Sequence, residues 1–220
     1  MNGLVMYDCE TGSLWSQVIG QGADGRLQGV DLAIMPGLQT TWERWVSAQP
    51  DTLVLDKGGG YRSDSYSQYY TDGRLGILGQ KQSDPRLYSK DLVVGVNING
   101  QAKAYPFGEL GITWVVNDVV NGVPLLVTFD DDSATGVVFS PTVGGNRLSF
   151  RELRALGGFL MEDLETGTVW DSLTGVAREG PLAGAKLEQV ASHYEFCFAW
   201  KDYHPETELY QSAGTGSTTP

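Results

Sequence analysis

Apolar and polar positions alternate in short blocks along this chain, and the blocks are cut by glycines. Leu4-Val5-Met6-Tyr7 is a β-prone run that breaks at Asp8-Cys9-Glu10-Thr11-Gly12 and resumes at Ser13-Leu14-Trp15-Ser16. Asp starts such a turn by bonding its own backbone and Gly supplies positive φ, so the pattern predicts a hairpin. A second hairpin of the same form is predicted at 159–171. Between them, Leu92 to Pro106 predicts a strand pair turning at Asn99-Gly100, and 114–129 predicts another turning at Asn121-Gly122; Asn-Gly is the strongest short-range hairpin signal. Strands are also predicted at Gly136–Phe139 and Asn146–Phe150, with Gly144-Gly145 as their turn. Helical spacing appears in Thr41–Ala48 and again from Phe196 to Tyr203, each stopped by a proline, Pro50 or Pro205. Short strands are expected to follow at 52–55 and 207–210.

These blocks recur. Shifted by 155 positions, residues 3–55 lie on 158–210 without a gap. Asp8, Glu10, Thr11, Gly12 and Trp15 face Asp163, Glu165, Thr166, Gly167 and Trp170, and Trp45 faces Trp200. Gly20, Leu27, Gly29 and Leu32 meet Gly175, Leu182, Gly184 and Leu187. Such periodicity changes a fold assignment and is weighed first. The expected fold is mainly β with a few short helices, a β-rich α+β class, built from a duplicated hairpin-rich unit whose first copy is incomplete. The expected layout is residues 1–55 as the latter half of the first unit, 56–91 as a Gly/Ser/Tyr-rich connection, 92–210 as a complete second unit and 211–220 as a flexible tail. The counterpart of 92–157 falls before residue 1. Its absence leaves the first hairpin with an unpaired edge and uncovered apolar surface. The expectation is a chain truncated at its N-terminus, with the missing N-terminal segment or another subunit as the partner that supplies this face.

Composition narrows the function classes. Fifteen basic against 27 acidic residues give a net charge of -12, which disfavours a nucleic-acid surface because counterion release needs clustered Lys and Arg. No apolar run approaches the roughly 18 residues of a membrane-spanning helix. The first eight residues lack the basic and long apolar regions of a signal peptide. Two distant cysteines, Cys9 and Cys197, are not a disulfide framework. Cys197 lies in an apolar stretch and reads as a buried thiol, and the carboxylates flanking Cys9 argue against an activated nucleophile.

The stretch Leu4 to Gln17, the pieces Thr40-Thr41-Trp42-Glu43-Arg44-Trp45 and Gln49 to Leu55, then Ala102-Lys103-Ala104-Tyr105-Pro106, Val116-Asn117-Asp118 and Gly180-Pro181-Leu182-Ala183-Gly184 resemble the signature of a bacterial and archaeal family known as domain of unknown function 3179. The resemblance spans about 3–210 and implies no established activity. It implies an N-terminal Cys-Pro-x-Cys-Gly motif with a nearby His, the family's best candidate for metal or thiol chemistry. This sequence starts beyond the place of that motif, and the equivalent place in the second unit, Thr128 to Gly136, has no cysteine. The resemblance also implies export or attachment to the cell envelope for a full-length form.

Candidate sites are few. Asp130-Asp131-Asp132 could hold a hard cation but lacks the alternating spacing of a calcium loop, so a solvated turn is expected. Asp8 with Glu10, and Asp163 with Glu165, sit in one polar turn each and lack the separated environments of an acid–base pair. His193 and His204 with Cys197 fall short of a convincing zinc set, and no metal or cofactor is expected. Tyr61, Arg62, Tyr66, Tyr69 and Tyr70 are the candidates for stacking on a sugar or peptide. The six tryptophans are expected in the core. The expected function is a non-catalytic β-rich binding or structural module, part of a larger protein. The alternatives are a fragment of a metal- or thiol-dependent enzyme whose cysteine motif lies elsewhere, and a carbohydrate-interacting protein.

Overall fold

The computed structural model describes residues 3–56, 58–59, 67–76, 79, 81–153 and 159–213. Among them are seventeen strands and four short helices, a β-rich fold. The chain separates into two units. One comprises Met1–Ala33, Trp42–Asp91 and Phe196–Pro205, and the other Ile34–Thr41, Leu92–Glu195 and Glu206–Pro220.

The first unit opens with a meander of β1 (Val5–Tyr7), β2 (Leu14–Ser16) and β3 (Gln21–Asp24), paired in that order. It continues with α1 (Trp42–Ala48) and α2 (Ser67–Thr71). In the second unit, β4 (Leu92–Ile98) and β5 (Gln101–Pro106) form the expected hairpin, and Asn99 and Gly100 take φ of 51° and 92° at its turn. Helix α3 (Phe107–Leu110) leads to β6 (Val115–Val120) and β7 (Val123–Asp130), which turn as expected at Asn121-Gly122. The paired left-handed residues fit the right-handed twist of the flanking strands.

Next come β8 (Thr135–Ser140), β9 (Thr142–Val143), β10 (Asn146–Arg147) and β11 (Phe150–Glu152). The expected strand at 146–150 is thus two pieces. Gly144-Gly145 turns β9 into β10, and β11 instead pairs antiparallel with β12 (Leu160–Asp163). A second meander follows from β12 through β13 (Val169–Asp171) and β14 (Ala177–Glu179). Then come β15 (Glu188–Gln189), β16 (His193–Phe196), α4 (Cys197–Tyr203), which belongs to the first unit, and β17 (Glu208–Leu209). Two further four-stranded sheets run β15-β8-β7-β6 and β16-β4-β5-β17. Their apolar faces meet in a core that includes Val94, Tyr105, Leu110, Val127, Phe129 and Val138. The unbroken apolar run Leu125-Leu126-Val127 in β7 is buried on both faces, which is why it does not alternate.

Two expectations need correction. Residues 52–55 are not a strand, and Leu53, Val54 and Leu55 are exposed. Their counterparts in β17 gain strand geometry by pairing in parallel with β5, Glu208 beside Lys103 and Leu209 beside Ala104; among the described residues, 52–55 meet no such edge. Trp42 is not a core residue. It is 58% exposed on a helix that buries none of its residues, whereas α4 buries Cys197, Phe198, Ala199, Trp200 and Asp202. No helix among the described residues is long and apolar enough to cross a membrane.

Candidate functional site

The Asp-x-x-Thr turn is a dense polar arrangement, and it is made twice. In the first meander the Thr11 backbone N–H donates to Asp8 Oδ1 (2.5 Å), while the Thr11 hydroxyl and the Trp15 indole N–H donate to Asp8 Oδ2 (2.7 and 2.9 Å). In the second meander the Thr166 N–H donates to Asp163 Oδ1 (2.6 Å), and the Thr166 hydroxyl and Trp170 indole donate to Asp163 Oδ2 (2.9 and 2.8 Å). The strand registers also correspond. Met6 lies opposite Trp15 and Met161 opposite Trp170, and each meander has a register shift just before that tryptophan. Leu27 N–H donates to the Ser13 hydroxyl as Leu182 N–H does to that of Thr168. Gly25 and Gly180 pass so close beneath these hydroxyl residues that a Cβ would lie 2.9 Å from Ser13 Cα or 2.8 Å from Thr168 Cα. Only glycine fits there.

These ties set the electrostatics. The Trp15 indole, with the Thr11 hydroxyl and amide, lowers the Asp8 carboxyl to about 2. Burial works against the charged form of Asp163, but the Trp170 indole and the Thr166 donors outweigh it and hold that carboxyl below its ordinary value. A carboxylate bound this way is a fixed acceptor and not a proton carrier. Glu10 is exposed, and Glu165 accepts from the Ser149 N–H (2.8 Å).

The aspartate run at 130–132 uses the same device. The Ser133 hydroxyl donates to Asp130 Oδ2 (2.9 Å) and lies 2.8 Å from the Thr135 hydroxyl, as Thr11 and Thr166 do with their neighbours. Asp130 is therefore buried, while Asp131 and Asp132 are exposed. The three carboxylates do not share one environment.

Of the tyrosine candidates, Tyr61, Arg62 and Tyr66 lie outside the described residues. The Tyr69 and Tyr70 rings pack beside Phe196, with centroids 6.0 and 5.7 Å away. Tyr69 is half-buried, its hydroxyl accepts from the Gly76 N–H (2.7 Å), and Lys90 Nζ stands 4.1 Å above its ring. One face of its ring is thus already taken by Lys90. Trp45 donates its indole N–H to the Thr52 hydroxyl (2.8 Å), and Trp200 is buried against His204.

Two further polar clusters lie outside the residues that the sequence marks as candidates. In the second unit, Lys103 Nζ lies 2.6 Å from Asp118 Oδ2, and the Tyr105 hydroxyl donates to the same oxygen (2.8 Å). The signal was available: Lys103 and Tyr105 are two apart on a strand and so share a face. Burial, together with the Asp118 charge, pushes the Tyr105 phenol well above its ordinary value, so it remains a neutral donor. In the first unit, Arg86 holds buried Asp84 at about 2 through a 2.5 Å contact, with Lys201 Nζ 3.7 Å away. Burial and the nearby Asp84 and Asp91 carboxylates raise the Cys197 thiol to about 11, which keeps it protonated and unreactive. Burial lowers His193. Among the described residues no group of three or more His, Cys, Asp and Glu side chains is placed to hold a metal ion.

The chain matches the family described as protein of unknown function (DUF3179) over residues 1–207. It belongs to the DUF3179 family. The match takes in both meanders, both long hairpins and the Lys103–Tyr105–Asp118 cluster. No curated protein and no solved structure matches the chain.

Proposed function

We propose that this DUF3179 chain is a non-catalytic β-rich module that acts by binding or as a structural portion of a larger protein. We further propose that its two meanders are copies of one unit, retained because the Asp-x-x-Thr turn and its tryptophan tie make a rigid sheet from a short sequence. The observation that carries the reading is the state of Asp163. Its two oxygens accept from the Thr166 amide, the Thr166 hydroxyl and the Trp170 indole, so its acceptor capacity is spent inside the fold. Asp84 and Asp118 are likewise committed to Arg86 and to Lys103 with Tyr105. General acid–base chemistry needs a group whose proton can leave for a substrate near the working pH, and the Asp84 and Asp163 carboxyls are held below their ordinary value, away from that condition.

A metal titration tests the reading. The full chain is titrated with Zn²⁺ and with Cu²⁺ and followed by native intact-mass measurement. Only weak, substoichiometric adducts are expected. A tight 1:1 complex with either ion overturns the non-catalytic reading in favour of metal chemistry.

A further inference from the structure

We propose that the free edge of β1, with the Leu4 and Met6 side chains beside it, is a docking site for a separate polypeptide β-strand of the kind that β11 supplies to β12. This deepens the binding reading above and rests on it.

The second meander shows what the first lacks. β12 is flanked on one side by β13 and on the other by β11, with Phe150 opposite Asp163, Arg151 opposite Glu162 and Glu152 opposite Met161. The added strand is fastened by the Leu153 N–H to the Leu160 carbonyl (3.1 Å) and by the Leu164 N–H to the Ser149 carbonyl (2.8 Å). Among the described residues β1 is an edge strand of the first meander, with β2 as its one neighbour. The Gln17 N–H donates to the Leu4 carbonyl and the Asp8 N–H to the Ser13 carbonyl, so residues 4, 6 and 8 point their backbone groups at β2. By the alternation of an antiparallel ladder, those of Val5, Tyr7 and Cys9 point to the open edge. These are the positions 155 before Leu160, Glu162 and Leu164, the residues that face β11.

The side chains agree with the backbone. Leu4 and Met6 are 62% and 39% exposed, while their counterparts Phe159 and Met161 are 7% and 0% exposed. Phe159 stacks on Trp114 with centroids 5.7 Å apart, and Phe150 of the added strand sets its ring edge-on to Trp170 at 5.8 Å. An open edge beside exposed apolar side chains is a template for strand addition. The occupant is thus an extended segment with an aromatic residue opposite Asp8, as Phe150 lies opposite Asp163, and with flanking basic residues that suit a chain of net charge -12. A second copy of this chain is a poor occupant, because its own β11 is already paired with β12.

The test uses the whole ¹⁵N-labelled chain and a peptide with the sequence of residues 145–153, Gly-Asn-Arg-Leu-Ser-Phe-Arg-Glu-Leu. The expected result is saturable binding with at least about tenfold slower hydrogen exchange at the Val5, Tyr7 and Cys9 amides, and little change at Met6 and Asp8. Tyr7→Pro removes an outward donor without touching the bonds to β2, and Met6→Glu places a charge on the covered face. Each should weaken peptide binding at least about tenfold at unchanged Tm. No saturable binding up to about 1 mM peptide, equal protection by a scrambled peptide, or binding untouched by both variants overturns the proposal. So does self-association that protects the same amides without peptide, which makes the occupant a second copy. A tight metal complex in the titration above removes the broader reading and leaves this result standing; failure of the peptide removes the docking strand alone.

Discussion

Residues 4–32 and residues 159–187 close the same turn with the same aspartate, threonine and tryptophan, and they place Met6 and Met161 opposite equivalent tryptophans. Their surroundings differ. Met161 is fully buried beneath β11 and its neighbours, whereas Met6 is 39% exposed at an open edge. The helices that lie 155 apart diverge in the same way: α4 buries five residues and α1 none. The comparison separates two sources of structure. Local hydrogen bonds within about a dozen residues are enough to set a turn, a register and a bulge. Burial depends on which distant segment arrives to cover the sheet.

Truncating the paired methionines gives the largest effect that would break this comparison. Met161→Ala should cost about 2–5 kcal/mol, because it opens a cavity in a packed core. Met6→Ala should cost less than about 1 kcal/mol, since the side chain is already partly in water. Urea denaturation of each full-length variant measures both. Equal losses would mean that the first meander is as well covered as the second.

Local and distant sources also separate what the residues alone made legible. The Asn99-Gly100 and Asn121-Gly122 hairpins were readable because positive φ at two successive residues is a property of the dipeptide and its neighbours. Helix α1 and the doubled Asp-x-x-Thr turn were readable for the same reason. Residues 52–55 were not: Leu53-Val54-Leu55 has the composition of a strand, and only a parallel neighbour such as β5 would make it one. The position of Trp42 and the meeting of Lys103 and Tyr105 with Asp118 depend likewise on contacts between elements, which no local pattern specifies.

A medium effect should follow from removing the turn charges. Asp163→Asn sets an amide that can also donate against the Trp170 indole and the Thr166 hydroxyl, both donors, in a site that is 1% exposed. It should cost about 1–3 kcal/mol. Asp8→Asn should cost less, because water can replace the lost acceptor. Both carboxyls are held below the ordinary value of 3.8, so their charged forms stabilise the folded state fully above that value. The contribution is lost as pH falls through the lowered value, about 2 for Asp8. Stability measured against pH should therefore decline between about 4 and 2 in the parent chain, and less steeply in either asparagine variant. An unchanged slope in both variants would show that other carboxylates govern acid unfolding.

The smallest effect sharpens the comparison by adding a third turn to it. Asp130-x-x-Ser133-x-Thr135 repeats the hydroxyl pattern of Asp8-x-x-Thr11-x-Ser13 and Asp163-x-x-Thr166-x-Thr168. The residue after the central hydroxyl adopts positive φ in all three, 68° at Gly12, 70° at Gly167 and 48° at Ala134. Alanine in that region brings its Cβ against the following carbonyl, at a cost of roughly 1–2 kcal/mol that glycine does not bear. Glycine also loses more chain entropy on folding, which offsets part of the gain. Ala134→Gly should therefore stabilise the second unit by about 0.5–1 kcal/mol, and Gly167→Ala should destabilise it by a similar amount or more. Thermal unfolding of the two variants reads the difference directly. If Ala134→Gly lowers Tm, the β7–β8 turn does not share the backbone strain of the other two, and the likeness among the three stops at their hydroxyls.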